Sequence, residues 1–294
     1  MSVARVAAPL VVLALAVGAI TGCTPAAGSG QPEVVASFYP LQYVAERVVG
    51  NHAEVTNLTE PGVEPHDVEL SPRQTAEVSS ASVVFHEKGL QPAVDQVISN
   101  DRPDHVVDAA DAVDLQKGED GGLDPHFWLD PTLLGQAAAA FTDTMAEADP
   151  DHAADFRAHN ARLQADLKKL DGDFRTGLED CTTRKVVVSH DAFGYLGKRY
   201  DLDVHAIAGL SPDAEPSARR LGELGDLIRD DDITTVFTER LASPKLADTL
   251  ASDLGVETAV LDPIEGPTDE DGDDDYLGLM RQNLAALQKA GGCS

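Results

Sequence analysis

Short hydrophobic runs alternate with amphipathic segments along most of the chain. The first run, Val34–Tyr39, fits a strand because it is short, apolar and followed directly by a turn residue. Pro40 then opens a segment whose apolar residues recur at helical spacing as far as Gly50. Later segments repeat this order, with strands predicted at Glu54–Leu58, Val83–Phe85 and His105–Val107 and a helix starting at the Ser71-Pro72 cap. The alternation predicts a parallel α/β sheet, whose ligands bind at the carboxyl ends of the strands.

A much longer helical pattern follows this first set of elements. It begins at Asp149-Pro150, an N-cap followed by proline, and its apolar stripe runs from Phe156 to Leu178. About 30 residues at ~1.5 Å each would span roughly 45 Å, more than packing within one small domain requires. Beyond it the alternation resumes, with strands at Lys185–Ser189, Leu202–Ile207, Ile233–Phe237 and Thr258–Leu261, and helices at Ser217–Arg229, from Ser243 and at Tyr276–Lys289.

This pattern predicts an α/β fold of two βα lobes with central parallel sheets, linked by one long helix. We expect an N-terminal lobe over 33–148, the linking helix over 149–180 and a C-terminal lobe over 181–294. The first 22 residues are different in character. A basic start at Arg5 and an apolar run from Val6 to Ile20 are typical of a secretory signal and too short for a confident spanning helix.

The end of this apolar run resembles a bacterial lipobox. Ile20-Thr21-Gly22-Cys23 is an aliphatic residue, two small residues and a cysteine, although an ordinary signal followed by a chance cysteine is the alternative. We therefore expect a signal peptide over 1–22, lipidation of Cys23 and a flexible tether over 23–32. The protein would then be attached to the cell membrane by its lipid anchor only and lie outside the cytoplasm.

The amino-acid composition and net charge exclude several classes of function. The chain has 51 Asp and Glu against 22 Lys and Arg, a net charge of −29, and 43% hydrophobic residues. The hydrophobic content is too high for disorder, and the negative charge disfavours nucleic acids and anionic lipids while attracting cations. With Cys23 lipidated, Cys181 and Cys293 remain in a compartment that permits disulfides, and we expect them to be bonded rather than free.

Three of the nine histidines follow βα elements. His66 comes after a Pro-Gly…Pro turn, His126 lies in Asp-Pro-His-Phe-Trp-Leu-Asp-Pro, and His190 ends a strand, while Asp262 ends a later one. Three imidazoles and a carboxylate suit tetrahedral Zn²⁺ and disfavour Mg²⁺ or Ca²⁺. Spacing alone leaves open that these are unrelated surface histidines. Three others are expected to be exposed and without function: His52, His152 and His159.

Seven segments, in order, resemble the zinc and manganese lipoproteins among the solute-binding proteins of ABC transporters. They are SFYPLQYVAERVVG, EPGVEPHDVELSP, DPHFWLDP, VVVSHDAFGYLGKRYDL, GLSPDAEPSARRL, VFTERLASPKLADTLA and VLDPI, within residues 33–290. The resemblance implies two lobes joined by a single long helix, with the metal in the cleft between them. It implies ligands His66 and His126 from the first lobe, and His190 and Asp262 from the second.

The same resemblance indicates the metal. Members similar to the manganese binders carry a carboxylate where this chain has His190, so zinc is expected, in agreement with the preference of Zn²⁺ for nitrogen ligands. Some zinc members use a glutamate directly before the first histidine, but Pro65 stands there and Glu64 is one place further back. Asp262 is therefore the expected fourth ligand, with water or Glu64 as alternatives.

Other candidates are secondary. His86 is a further candidate ligand at a strand end, and Glu239 is expected either to orient a ligand imidazole or to form an ordinary salt bridge. Unlike many zinc members, this chain has a short acidic loop without histidine, 116–124, before the second ligand. For the acidic run 269–275, a solvated loop is favoured over a cation funnel, and its spacing excludes an EF-hand.

The ligand set and the family resemblance together predict capture of Zn²⁺ and its delivery to an ABC permease, without catalysis. A monomer is expected, with a metallochaperone as a further partner. Binding should weaken as pH falls through the histidine range near ~6.5. The alternatives are transport of manganese or another divalent metal, a zinc-dependent hydrolase and an adhesin. Against a hydrolase stand the filled fourth position and the lack of an HExxH helix.

Overall fold

The computed structural model describes Met1 and residues 31–118, 121–268, 272 and 274–293. The expected signal peptide, Cys23 and most of the tether lie outside the described residues, as do parts of the acidic segments 116–124 and 269–275. Within the described part of the chain, no helix is both long enough and apolar enough to cross a membrane.

The first lobe is built on a four-stranded parallel sheet in the order β2-β1-β3-β4. Its strands are β1 (Glu33–Ala36), β2 (Glu54–Asn57), β3 (Val83–His86) and β4 (Val106–Asp108). Its helices are α1 (Tyr39–Val49), α2 (Pro72–Ser80), α3 (Pro92–Asp101) and α4 (Pro131–Ala148). The strands predicted from the hydrophobic runs are confirmed within a few residues at each end.

Local chemistry sets the ends of these helices. Ser71 and Gln74 form a reciprocal capping box at the start of α2, which satisfies two backbone N–H groups. The end of α1 is closed by Gly50, which has a φ of 59°. A β-carbon at Gly50 would lie 2.8 Å from Cε1 of His159, so both the backbone conformation and the close approach of another helix require glycine here.

The second lobe repeats the topology of the first, with the strand order β6-β5-β7-β8, again parallel. Its strands are β5 (Lys185–Val188), β6 (Asp203–Ala206), β7 (Thr235–Thr238) and β8 (Glu257–Val260). Its helices are α6 (Gly194–Tyr200), α7 (Ala218–Asp230), α8 (Lys245–Leu254) and α9 (Tyr276–Gly291).

One long helix, α5 (Ala153–Gly177), links the lobes. Its 25 residues span ~38 Å, and the helix is shorter than the sequence pattern suggests because Pro150–His152 form a separate 3-10 turn. It contacts α1 and α4 of the first lobe and α9 of the second. Its apolar stripe is buried as predicted: Phe156, Leu163, Leu167, Leu170 and Phe174. One hydrophobic cluster runs from the first lobe through this stripe into the second.

The expected disulfide between Cys181 and Cys293 is confirmed. It joins the segment just before β5 to the residue two places after α9, across a sequence separation of 112 residues. Backbone N–H groups of Thr182 and Thr183 donate to the carbonyl of Gly291 beside it. The C-terminal helix is therefore held to the start of its own lobe.

Candidate metal centre

Four side chains converge between the two lobes: His66, His126, His190 and Glu265. Each offers one ligand atom, and these four atoms all lie within 4.8 Å of one another. Three of the side chains are fully buried, while 13% of the His66 side chain is exposed. All four follow the carboxyl ends of strands, as expected for a site in a parallel α/β fold.

The spacing of these atoms fits a tetrahedral zinc ion. Oε1 of Glu265 lies 3.1 Å from Nε2 of His126, 3.4 Å from Nε2 of His66 and 3.6 Å from Nε2 of His190. The Nε2 atoms of His66 and His126 are 3.3 Å apart. Ligands at ~2.0–2.1 Å from a tetrahedral zinc lie roughly 3.3 Å from each other, so the group needs little rearrangement to close around the ion.

His126 is held by its own loop. Nδ1 of His126 donates to Oδ1 of Asp124 at 2.8 Å, and the backbone N–H of His126 donates to the same oxygen at 3.0 Å. Nε2 is thereby turned towards the other ligands, an arrangement common for zinc-bound histidine. Trp128 packs against the ring, with centroids 5.2 Å apart, and its Nε1 donates to the carbonyl of Pro263 in the second lobe.

His190 comes from the second lobe, where it lies two residues after β5. Its Nδ1 donates to Oε1 of Glu239, at the end of β7, at 3.0 Å. Its Nε2 is buried, and among the described residues it has no hydrogen-bond partner. An imidazole fixed on one side, with an unsatisfied buried nitrogen facing two other histidines, fits a metal ligand better than a packing residue.

His66 lies in a 3-10 turn, Pro65–Asp67, that follows β2. Oε1 of Glu64 accepts a hydrogen bond from the backbone N–H of His66 at 3.2 Å, so Glu64 shapes the turn and is not one of the four grouped side chains. The backbone N–H of Gly62 donates to the carbonyl of Pro267 at 2.9 Å. This contact joins the turn to the second-lobe loop that carries Glu265.

Asp262, the carboxylate expected in the metal group, does not lie in it, and the structure places Glu265 there instead. Oδ1 of Asp262 accepts a hydrogen bond from the backbone N–H of Ile264 at 2.8 Å, and Oδ2 pairs with Nη1 of Arg240 at 2.5 Å. Ile264 has a φ of 58°, which is rare for a β-branched residue. Asp262 therefore builds the sharp turn that presents Glu265.

His86 also lies outside the group. It ends β3 within the first lobe, is almost fully buried, and its Nδ1 lies 3.3 Å from Oδ1 of Asp95. Burial lowers the pKa of His86 below its ordinary value despite the nearby carboxylates. The structure thus brings together the three histidines selected from the sequence and adds Glu265, which we missed. The signal for Glu265 was the second carboxylate in Leu261-Asp-Pro-Ile-Glu265.

The protonation of the group reflects its packing. Burial opposes the charged form of His190 and His126, but hydrogen bonds and charge from Glu239, Asp124 and Glu265 outweigh it and raise both pKa values. Burial likewise opposes ionisation of Glu265, but the hydrogen bond from His126 and the close imidazoles of His190 and His66 hold its pKa well below 4.5. Burial and the Glu265 carboxylate raise the pKa of Glu64 to about 8. His126 and His190 therefore favour their charged, imidazolium forms beside the Glu265 carboxylate.

Two lobes joined by one helix, with three imidazoles and a carboxylate between them, define a metal-binding solute-binding protein. The family model for ZnuA, "Zinc-uptake complex component A periplasmic", matches residues 34–290. The chain is also 32% identical over 274 residues to the high-affinity zinc uptake system protein ZnuA of Bacillus subtilis, covering 87% of this chain and 86% of that protein. It therefore belongs to the ZnuA family, which confirms the resemblance drawn from the motifs.

Solved structures agree. The Zn(II)-bound ZnuA-like domain of Streptococcus pneumoniae AdcA matches with a TM-score of 0.78 and 33% identity, covering 89% of this chain and 99% of the domain. The chain covers 58% of the longer Zn(II)-bound AdcA structure. The laminin-binding protein Lmb of Streptococcus agalactiae, described as bifunctional with adhesin and metal-transporting activity, matches with a TM-score of 0.81 and 27% identity, covering 88% of this chain and 98% of Lmb.

Proposed function

We propose that this protein captures Zn²⁺ outside the cytoplasm and delivers it to an ABC permease for import. The observation that carries the proposal is the group His66, His126, His190 and Glu265, whose ligand atoms have the spacing of a tetrahedral zinc site. Zinc is the cargo here. Nitrogen ligands favour Zn²⁺ over Mg²⁺ and Ca²⁺, and a third histidine in place of a second carboxylate favours it over Mn²⁺.

The division of the ligands supports release as well as capture. His66 and His126 belong to the first lobe, whereas His190 and Glu265 belong to the second. The proposed lobe boundaries, 33–148 and 181–294, place two ligands on each side of the cleft. A small separation of the lobes would therefore split the site into two pairs, each of which binds zinc far more weakly than the complete site. We propose that docking on the permease produces this separation.

The remaining features of the proposal concern location and partners. The lipobox-like Ile20-Thr21-Gly22-Cys23 supports removal of residues 1–22 and a lipid anchor at Cys23, with 23–32 as the tether. The disulfide is consistent with a compartment outside the cytoplasm. We propose a monomer that receives zinc directly or from a metallochaperone. Four protein ligands leave no open position for a reactive water, which supports binding without catalysis.

The proposal is tested by titrating the purified protein with Zn²⁺, Mn²⁺ and Cu²⁺ against a chromophoric chelator. We expect zinc to bind far more tightly than manganese, and His66→Ala and Glu265→Gln each to weaken zinc binding by more than about 100-fold, beyond the usual effect of an outer hydrogen-bond partner. His205→Ala is the matched control, because His205 also faces a carboxylate, Asp203, but lies outside the group. Millimolar zinc affinity, or unchanged binding by His66→Ala, would contradict the proposal.

Transport is tested separately from binding. A bacterium that depends on this protein for zinc uptake should fail to grow in the presence of a zinc chelator when it carries His190→Ala, and growth should return when zinc is added. Growth equal to that of the wild type would refute the transport role even if the site binds zinc.

The similarity to Lmb supports a second candidate function, adhesion through binding to laminin. Binding of the purified protein to immobilised laminin is the measurement. Saturable binding that persists in His190→Ala would establish adhesion independent of zinc, and no binding would remove this candidate.

A further inference from the structure

A second group of histidines lies near the start of α5, far from the metal centre along the fold. His52 follows α1, His152 ends the 3-10 turn before α5, and His159 is within α5. β2 begins at Glu54, so His52 lies at the amino end of that strand, whereas the metal centre lies beyond the carboxyl ends. These histidines were expected to be unrelated surface residues, and the structure instead places them together.

The rings are as close as those of the metal centre. The ring centroids of His52 and His152 are 4.1 Å apart and stacked, and those of His52 and His159 are 6.4 Å apart. In the metal centre the three centroid separations are 5.4, 6.3 and 5.3 Å. The buried ring of Phe156 lies beneath the second group, 5.9 Å from His52.

Two of these histidines are already oriented by their Nδ1 atoms. Nδ1 of His152 donates to Oδ2 of Asp149 at 2.6 Å, and Nδ1 of His159 donates to the carbonyl of Val48 at 3.0 Å. With Nδ1 carrying the hydrogen, each neutral ring keeps the Nε2 lone pair available to a metal. This repeats the carboxylate-to-imidazole pairing seen at the metal centre.

A carboxylate completes the set of donors. Oδ2 of Asp155 lies 3.2 Å from Nε2 of His52. Asp155 is four residues before His159, so α5 places these two on one face, and His152 directly precedes the helix, three residues before Asp155. Exposed fractions of 22% for the His52 side chain, 42% for His152 and 58% for Asp155 leave the group open to a hydrated cation.

We propose that His52, His152 and Asp155 form a second site for a divalent transition metal of the zinc type, with His159 as a fourth ligand. Among the described residues, only the metal centre already has its ligand atoms gathered closely enough to hold an ion, so the second group must rearrange to bind one. The stacked rings must turn apart before both nitrogens reach one ion. The second site therefore binds zinc more weakly than the first and fills after it.

The test is a zinc titration of the full protein, followed by equilibrium dialysis for stoichiometry and by long-range ¹H–¹⁵N NMR of the imidazoles. We expect two equivalents of zinc. The first should shift the ring signals of His66, His126 and His190, and the second those of His52 and His152. The variant His52→Ala/His152→Ala should bind one equivalent with the affinity of the first site unchanged. His205→Ala is the control and should retain both equivalents, because His205 lies outside both sites. Like the histidines of the second site, it is partly exposed, at 24%, and faces a carboxylate.

Several results would overturn the second site. These are a single equivalent in the wild type, a second equivalent that persists in the double variant, or ring signals of His52 and His152 that do not move. The wild-type NMR titration decides the matter without any variant, and His152→Gln replaces the double variant if that one does not fold. Loss of the first equivalent with retention of the second would count against the proposed function and not against this site.

Discussion

Nδ1 of His190 donates a hydrogen bond to Oε1 of Glu239 at 3.0 Å, and both side chains are almost completely buried. In the first lobe, His126 and Asp124 form the same kind of pair at 2.8 Å. Each lobe thus contributes one imidazole whose orientation is fixed by a carboxylate of that lobe. These hydrogen bonds fix the orientation of one ligand imidazole on each side of the cleft independently of the metal.

Removal of the charge on Glu239 should weaken zinc binding. The amide of Glu239→Gln can still accept the hydrogen bond from His190, but it no longer increases the basicity of the imidazole as a zinc ligand. We therefore expect a loss of about 10-fold to 100-fold in zinc affinity. Chelator competition at pH 7.5 is the measurement. Glu223→Gln, an exposed glutamate paired with Arg219, is the control and should bind as the wild type does. A Glu239→Gln variant of wild-type affinity would show that the carboxylate has no such role.

The stabilisation by zinc should grow with pH. The raised pKa values of His126 and His190 mean that the pairs His190–Glu239 and His126–Asp124, together with the Glu265 carboxylate, stabilise the metal-free fold below ~6.5. This stability is lost as pH rises through the raised values. Zinc requires the neutral rings, so it binds better over the same range. Thermal unfolding with and without zinc at pH 6, 7 and 8 should show a widening difference in Tm. An increment that is constant with pH would contradict this, and His66→Ala should show little increment at any pH.

Glu87 should make the fold less stable as pH rises. Its side chain is 1% exposed, and among the described residues neither carboxylate oxygen has a hydrogen-bond partner. Burial, followed by the nearby charges of Asp108, Asp124 and Asp95, raises its pKa well above 4.5. The folded state therefore holds a proton that the unfolded state releases, which costs up to ~1.4 kcal/mol per pH unit above 4.5.

Glu87→Gln removes this cost. The free energy of unfolding of the variant, relative to the wild type, should rise from pH 5 to pH 7, as measured by urea unfolding at several pH values. The control is Glu77→Gln, because Glu77 is partly exposed and paired with Arg73. Parallel pH profiles for Glu87→Gln and the wild type would show that Glu87 ionises normally in the folded protein.

The disulfide should contribute to stability without affecting the metal centre. Replacing Cys181 and Cys293 by serine opens a link across 112 residues, and a loss of about 2–4 kcal/mol in the free energy of unfolding is expected. The bond lies before the start of β5, whereas His190 follows the end of that strand, so zinc affinity should be unchanged. Denaturant unfolding and chelator competition on the same variant separate the two effects. A parallel loss of zinc affinity would mean that the disulfide also positions the site.

Local patterns allowed much of the fold to be predicted. The strands are short valine-rich runs and several helices begin at a Ser-Pro or Asp-Pro step, so these signals lie within a few neighbouring residues. The three histidines stood out at loop positions after βα elements, and the resemblance of the surrounding segments to the zinc and manganese lipoproteins selected them as ligands. The long helix was predicted over 149–180 and spans Ala153–Gly177. At its start, Pro150–His152 form a 3-10 turn that the apolar periodicity does not distinguish from α-helix.

Two features that the sequence did not predict, the fourth ligand and the second histidine group, depend on contacts between distant residues. Asp262 and Glu265 are three positions apart in one loop, and the sequence pattern gives no preference between them. The choice is made by Arg240, which pairs with Asp262, and by the left-handed conformation of Ile264. The histidine group near α5 was also missed because His52 and His152 are 100 positions apart in the chain. They meet only because α5 packs against α1.

We propose that three histidines and Glu265 hold zinc between the lobes. Anomalous diffraction at the zinc edge from crystals of the zinc-loaded protein tests it most directly. We predict that the strongest anomalous peak lies ~2.0–2.2 Å from Nε2 of His66, His126 and His190 and from a carboxylate oxygen of Glu265, with Asp262 still paired to Arg240. A peak at bonding distance from Asp262 in place of Glu265, or one that leaves His190 uncoordinated, would contradict the proposed set of zinc ligands.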